Sequence, residues 1–259
     1  MKVHFIGIGG IGLSALARFL NFDGHEISGS DMKSSLITKA LEDEGIKVSC
    51  PQSASNMQDD FDLVIYSAAV TDENPELIEA RLKQIRTLSR KEALPIILGD
   101  KKNYCVAGAH GKSTTTAILA SILESSALIG AISKDFGSNF RYVNKLIAFE
   151  ADESDASFLL SNPYCAIVTN AEPEHMEYYH YDYDKFYGAY ERFISLAKKR
   201  VVNGEDKDIA KLKIEDATYL YPSKDIKNLC YTLKDNQPCT RFDLKDLGTF
   251  EVWGFGFHM

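Results

Sequence analysis

Apolar and polar positions along the chain follow two rhythms, and the switches between them mark out its elements. "KVHFIG" (2–7) is a short apolar run of buried-strand length. In "GLSALARFLNF" (12–22), Leu13, Leu16, Ala17 and Leu20 recur on one helical face. "HEISGSD" (25–31) reads as a second strand, and "SSLITKALEDEG" (34–45) as a helix stopped by Gly45. "FDLVIYSA" (61–68) is a third strand, and "NPELIEARLKQ" (74–84) a helix with Pro75 in its first turn. Such alternation predicts a parallel sheet with right-handed crossovers.

Near Pro95 the pattern restarts, which predicts two domains, 1–95 and 96–259. "NYCVAG" (103–108) is a strand, followed by a glycine turn and the helix "STTTAILASILES" (113–125). Further strands are expected at "KLIAFE" (145–150), "YCAIVTN" (164–170) and "RVVNG" (200–204), with a helix over about 184–198. From 217 the chain turns β-rich: "ATYLY", "LCYTL" and "GTFEVWGF" predict a small antiparallel sheet. The fold class expected is α/β: a Rossmann-like parallel-sheet domain, then an incomplete P-loop NTPase-like domain with a small antiparallel β addition.

Charge narrows the function. The 259 residues carry a net charge of −8. A general binder of nucleic acid or anionic membrane needs a basic face, so neither is expected. A phosphorylated ligand must then be held by local groups. The five cysteines, at 50, 105, 165, 230 and 239, show no CxxC spacing, which suits a reduced, cytoplasmic setting without a zinc site. Lys2 followed by uncharged residues 3–17 mimics a short signal peptide, but four glycines and a strand-turn-helix rhythm argue against one. There is no apolar run long enough to span a membrane.

Two glycine turns carry the chemistry. Gly7, Gly9 and Gly12 fit G-x-G-x-x-G between a strand and a helix, where backbone and helix N-terminus can meet a pyrophosphate. Asp31 ends the next strand, 19 residues after Gly12, where an acid would reach a ribose hydroxyl. A tight turn in a sheet is the plain alternative, and the pattern leaves NAD, FAD and a UDP-sugar open. The second turn, "VAGAHGKSTTT" (106–116), is a phosphate loop two residues short of G-x-x-x-x-G-K-[ST]. Lys112 offers a point charge to phosphates and Ser113 a hydroxyl to Mg²⁺, while Gly108 and Gly111 let the backbone curl.

"FEADESDASF" (149–158) puts four carboxylates, Glu150, Asp152, Glu153 and Asp155, within six residues at a strand end. That is a position for a Mg²⁺ carboxylate, although a solvated acidic turn would look the same. "TNAEPEHMEYY" (169–179) puts His175, with Glu172 and Glu174, beyond another strand end of the same sheet, where ligands gather. Tyr178, Tyr179, Tyr181 and Tyr183 are expected to pack or cap a surface.

"GAHGKSTTT", "EADESDASF" and "TNAEPEHM", in this order, resemble the ATP-binding domain of the Mur ligases, whose phosphate loop is the compressed form. "HFIGIGGIGLSALA", "GSD" and "SAAVTDENPE" resemble the members that join L-alanine to UDP-N-acetylmuramate. The resemblance implies a UDP-sugar on the first turn, at Gly7, Gly9, Gly10, Ile11, Gly12, Ser14, Asp31 and Ser67. It implies ATP on the second, at Gly108, Ala109, His110, Gly111, Lys112, Ser113, Thr114 and Asn170. Lys112, Glu150 and His175 would be catalytic, with one Mg²⁺ at Ser113 and Glu150 and a second at His175.

The implied reaction is ATP-driven amide formation through an acyl phosphate, a step in making peptidoglycan precursors. Three positions depart from the family: Ala109 replaces a Thr, Glu174 replaces an Asp, and Glu191 stands where several relatives carry a carbamylated lysine. The family also has a third, C-terminal domain, whereas this sequence ends at "GFGFHM", a step that in the family leads into a further helix. The expectation is a shortened chain that binds nucleotide without completing ligation, of unknown oligomeric state. Rival readings are an NAD-dependent dehydrogenase, a ligase adding a preformed peptide, and a non-catalytic nucleotide-binding module.

Overall fold

The computed structural model describes residues 1–99 and 101–253; "GFGFHM" lies outside them. Contacts group the chain into two compact units. The first holds Met1–Lys102, Ala120–Phe149 and Leu160–Asn162; the second holds Asn103–Leu119, Glu150–Leu159 and the chain from Pro163 onward.

In the first unit the chain runs β1 (Lys2–Ile6), α1 (Ile11–Phe22), β2 (Glu26–Ser30), α2 (Leu36–Asp43), β3 (Lys47–Ser49), β4 (Leu63–Tyr66), α3 (Pro75–Leu82), β5 (Thr87–Ser89) and α4 (Arg90–Leu98). Its strands form a sheet of order β3-β2-β1-β4-β5, parallel throughout as expected. Side chains set where the helices start. Asn74 caps α3 by accepting from the Glu76 and Leu77 amides, with Pro75 following it. Ser35 with Thr38, and Ser89 with Glu92, form capping boxes for α2 and α4. The expected restart at Pro95 does not break α4, which runs through it. Burial of Ala93, Leu94, Ile97 and Leu98 outweighs the one backbone hydrogen bond that proline removes.

The next elements are β6 (Lys102–Ala107), α5 (Lys112–Ile122), β7 (Ser126–Ser133), β8 (Ser138–Arg141), β9 (Leu146–Glu150), β10 (Pro163–Val168), α6 (Tyr183–Leu196), β11 (Lys199–Asn203) and β12 (Thr218–Leu220). In the second unit β12-β11-β10-β6 lie side by side and parallel. In the first unit β9, β7 and β8 lie side by side, with β7 parallel to β9 and antiparallel to β8.

The β7–β8 hairpin is absent from the sequence reading. It packs on α1: Phe140 meets Phe19 edge-on at 6.4 Å, and Tyr142, just past β8, stacks on Phe22 at 5.6 Å. Asn139 is fully buried there. It donates to the Ile11 carbonyl (2.5 Å) and the Ser14 hydroxyl (3.0 Å) and accepts from Arg18 (2.7 Å), which also pairs with Glu44.

The tail adds α7 (Pro222–Asp225) and an antiparallel sheet of β13 (Ile226–Lys234), β14 (Gln237–Leu244) and β15 (Thr249–Trp253). "ATYLY" does not join it. Those residues supply β12, parallel to β11, because the Gly204 amide binds the Leu220 carbonyl and carries the chain into the larger sheet. Cys105 and Cys165 are buried on β6 and β10.

Candidate functional site

The first glycine turn follows β1. Its Gly7 and Ile8 amides both donate to the Ser30 carbonyl at the end of β2, at 2.8 and 3.0 Å. The Gly9 amide donates to Asp31 Oδ2 at 2.9 Å. A Cβ on Gly9 would lie 2.7 Å from that oxygen, so the carboxylate and any larger residue exclude each other. Asp31 Oδ1 accepts from the Met32 amide, so both carboxylate oxygens serve the backbone around the turn. Gly10 caps α1 without a side chain, and the first turn carries no acid. The partial positive charge of the helix start is therefore left for an anion.

The other residues expected here are close but differently engaged. Ser67, after β4, sits against Gly7, whose Cβ would fall 3.0 Å from that of Ser67. Ser14 is buried, with its hydroxyl on the Ile11 carbonyl. Gly12 lies under the Arg90 side chain, 3.2 Å from Nε to a would-be Cβ. Arg90 carries no motif signal; in sequence it is the first residue after a helix cap.

The second turn joins β6 to α5 in the second unit. Gly108 has φ +140°, and a Cβ there would lie 2.3 Å from Thr169 Oγ1, so glycine is required on both counts. Asn170, beyond the end of β10, clamps the turn. It accepts from the His110 amide at 3.0 Å and donates to the His110 carbonyl at 2.8 Å, and Thr169 donates to the same carbonyl at 2.7 Å. The Lys112 ammonium folds back on the turn, donating to the Gly108 carbonyl (2.6 Å), the Ala109 carbonyl (3.3 Å) and Glu153 Oε1 (2.9 Å). Ser113 is half-buried and Thr114 exposed on the first turn of α5.

The acidic turn sorts its four carboxylates. Asp152 accepts from Ser154, and Asp155 from the Ser157 amide, so both shape the backbone. Glu150, half-buried, ends β9, and the adjoining Ala151 amide binds the Val106 carbonyl of β6. Glu153 is the carboxylate that meets Lys112; its side chain is 2% exposed and Oε2 is buried without a hydrogen-bond partner. Burial pushes the Glu153 carboxyl above its ordinary value, and the Lys112 charge only partly opposes this. The four carboxylates are equivalent in sequence; only the path of the turn separates Glu153 from the rest.

Tyr179 donates to the Glu153 carbonyl at 2.5 Å, and burial holds that phenol protonated well above its usual range. Tyr179 is thus a buried packing residue, whereas Tyr178, Tyr181 and Tyr183 are exposed. An aromatic cluster of Phe158, Phe186, Tyr190 and Phe193, with rings 4.9–5.3 Å apart, supports this turn. His175 is exposed with φ +52°. The His110 ring lies 3.5 Å from Glu174 and 3.7 Å from Glu172. Glu191, on α6, accepts from the Lys213 amide at 2.7 Å. Among the described residues no three of His, Cys, Asp and Glu are grouped as a metal cluster, and no helix is long and apolar enough to cross a membrane.

Residues 2–102 match the Mur ligase family, catalytic domain, and residues 106–241 match the Mur ligase middle domain. The UDP-N-acetylmuramate–L-alanine ligase of Campylobacter curvus is 58% identical over 259 residues, covering all of this chain and 59% of that protein. The crystal structure of the UDP-N-acetylmuramate-alanine ligase of Thermotoga maritima superposes with a TM-score of 0.83 at 29% identity, covering all of this chain and 62% of that one. The UDP-N-acetylmuramate:L-alanyl-gamma-D-glutamyl-meso-diaminopimelate ligase of Neisseria meningitides shares the fold, with a TM-score of 0.80 at 23% identity, over 99% of this chain and 89% of that one. The chain thus spans 59% of the length of the Campylobacter curvus relative.

Proposed function

The chain belongs to the Mur ligase family, and from that premise we propose that it works as part of an ATP-dependent UDP-N-acetylmuramate–L-alanine ligase. The observation that carries this reading is the second turn: a lysine at a helix start, glycines that admit no side chain, and an asparagine clamp on the loop peptide. Those features suit the phosphates of ATP. In this reading residues 1–95 take the UDP-sugar and residues 96–259 take ATP. That division follows the sequence rather than the packing, in which Ala120–Phe149 group with the first hundred residues.

The lactyl carboxylate of UDP-N-acetylmuramate is a poor electrophile. Transfer of the γ-phosphoryl of ATP to it gives an acyl phosphate with a leaving group, which the amine of L-alanine displaces as phosphate. Lys112 neutralises charge on the transferring phosphoryl, and the Gly108–Gly111 backbone with Asn170 and His110 holds the loop to its shape.

What supports Mg²⁺ is one carboxylate oxygen without a partner. The orphaned Oε2 of Glu153 lies in the turn that faces Lys112, and Mg²⁺ binds few protein oxygens while keeping water and phosphate ligands. We assign Ser113 and Glu150 to one ion, with Glu153 added to the donor set, and His175 to a second. The ion would supply positive charge to the phosphates. Cysteine spacing without a CxxC pair supports work in the reducing cytoplasm.

Calorimetric titration with UDP-N-acetylmuramate, with NADH as comparison ligand, tests the reading. Binding of the UDP-sugar without an NADH response is expected; binding of NADH alone would overturn it. Turnover of the whole enzyme on a preformed peptide in preference to L-alanine would replace the assignment with that of a peptide-adding ligase.

A further inference from the structure

Glu76, on the first turn of α3, is fully buried. A buried carboxylate persists only where hydrogen bonds replace its water. Its Oε1 accepts from Asn56 Nδ2 at 2.6 Å and the Ser53 amide at 3.1 Å. Its Oε2 accepts from the Ser30 hydroxyl, and His4 Nε2 lies 3.7 Å away. Burial alone would push this carboxyl up. The His4 ring, the Ser30 hydroxyl, the Asn56 amide and the Ser53 N–H together outweigh burial and hold it below its ordinary value. The group is therefore ionised at neutral pH.

One of these donors has a second task. Ser30 ends β2, and its carbonyl receives both the Gly7 and the Ile8 amide; the next residue, Asp31, receives the Gly9 amide. Three successive amides of the first turn are thus set by two residues, and Glu76 holds one of the two by its side chain.

We propose that Glu76 is a positioning residue for the nucleotide-sugar turn: through the Ser30 hydroxyl it fixes the strand end whose carbonyl aims the Gly7 and Ile8 amides. The proposal rests on the reading of that turn as the UDP-sugar site. Glu76 touches no ligand itself. It keeps the turn in its ligand-ready shape before the anion arrives, so that binding does not have to order it.

The test uses the ligand-free chain and its Glu76→Gln, Ser30→Ala and Asn56→Ala variants. Amide hydrogen exchange is read at Gly7–Gly9 and, as an internal control, at Gly108–Gly111. Glu76→Gln and Ser30→Ala should each speed exchange at Gly7–Gly9 by about tenfold, the scale of one lost charge-assisted hydrogen bond. Asn56→Ala, which removes a bond to the far oxygen, should not. The Gly108–Gly111 amides should be unchanged in all three.

Titration with UDP-N-acetylmuramate should weaken about tenfold in Glu76→Gln and Ser30→Ala, with the affinity for a non-hydrolysable ATP analogue unaltered. Combining the two substitutions should add nothing to the larger single effect. Unchanged exchange at Gly7–Gly9 in Ser30→Ala, additive effects, or an equal response to Asn56→Ala would overturn the proposal. If Glu76→Gln does not fold, Ser30→Ala alone decides. If the wild-type chain ignores the UDP-sugar, the exchange data still decide the role of Glu76, and the titration counts against the functional reading alone.

Discussion

Replacing Lys112 by Met takes away the ammonium that lies 2.9 Å from Glu153 Oε1 and leaves a carboxylate whose side chain is 2% exposed. Breaking a buried pair in this way costs about 3–5 kcal/mol. Glu153 can escape part of that by taking up a proton. From its ordinary value of 4.5, protonation costs about 1.4 kcal/mol per pH unit, which caps the penalty near 4 kcal/mol at pH 7.5 and near 1.4 at pH 5.5.

The sign follows from burial. A carboxyl whose folded value lies above its unfolded one favours the fold while protonated, and stability is lost as pH rises through the folded value. Removing Lys112 widens that window upward. Glu153→Gln is the milder change, because it removes the charge and leaves Lys112 partly exposed with the Gly108 and Ala109 carbonyls. It should cost less than about 1.5 kcal/mol and show little pH dependence between about 5.5 and 7.5. Denaturant unfolding by circular dichroism at both pH values is the assay. Equal costs for the two variants, or a Lys112→Met penalty that ignores pH, would refute the reasoning.

Gly108→Ala should abolish detectable ATP-analogue binding and destabilise by about 2–3 kcal/mol, since the new Cβ meets Thr169 Oγ1 at 2.3 Å from a backbone with φ +140°; titration and unfolding of the same sample check both. Asn139→Leu should cost about 2–4 kcal/mol in denaturant unfolding by leaving the Ile11 carbonyl and an Arg18 N–H without their partner. The Glu76 carboxyl, held below its ordinary value of 4.5, stabilises the fold above that pH and loses this as pH falls through its depressed value. Glu76→Gln should therefore be less stable than wild type at pH 7, and acid unfolding curves of the two should draw together as pH falls through the depressed value of Glu76.

The parallel strands are legible in the sequence because strands covered on both faces are continuous apolar runs; β1, β4, β6 and β10 all lie in stretches that read so. The two glycine turns are legible for a different reason: glycine spacing states a need for close approach, by the Asp31 carboxylate at Gly9 and by Thr169 and the Asn170 backbone at Gly108. The β7–β8 hairpin is hidden because "SNFR" is mostly polar, and its two buried residues, Asn139 and Phe140, find their partners on α1 more than a hundred residues earlier. No local window contains that pairing. The site is half legible for the same reason. Lys112 announces itself, but which of four carboxylates it meets depends on how the turn after β9 folds, and Glu76 gives no sign in the sequence that its side chain reaches Ser30.

The hairpin carries a consequence for how the polypeptide can be divided. Residues 120–149 come after the second glycine turn in the chain, yet they pack with the first hundred residues, and the path passes from one unit to the other five times. A gene fragment ending at residue 102 would strip Phe19 and Phe22 of Phe140 and Tyr142, and Arg18 of Asn139. Such a piece would be sticky and incompletely folded. The two halves are therefore not interchangeable modules. A working chimera must carry the hairpin with α1, so swaps among relatives should succeed only where both are taken from the same parent.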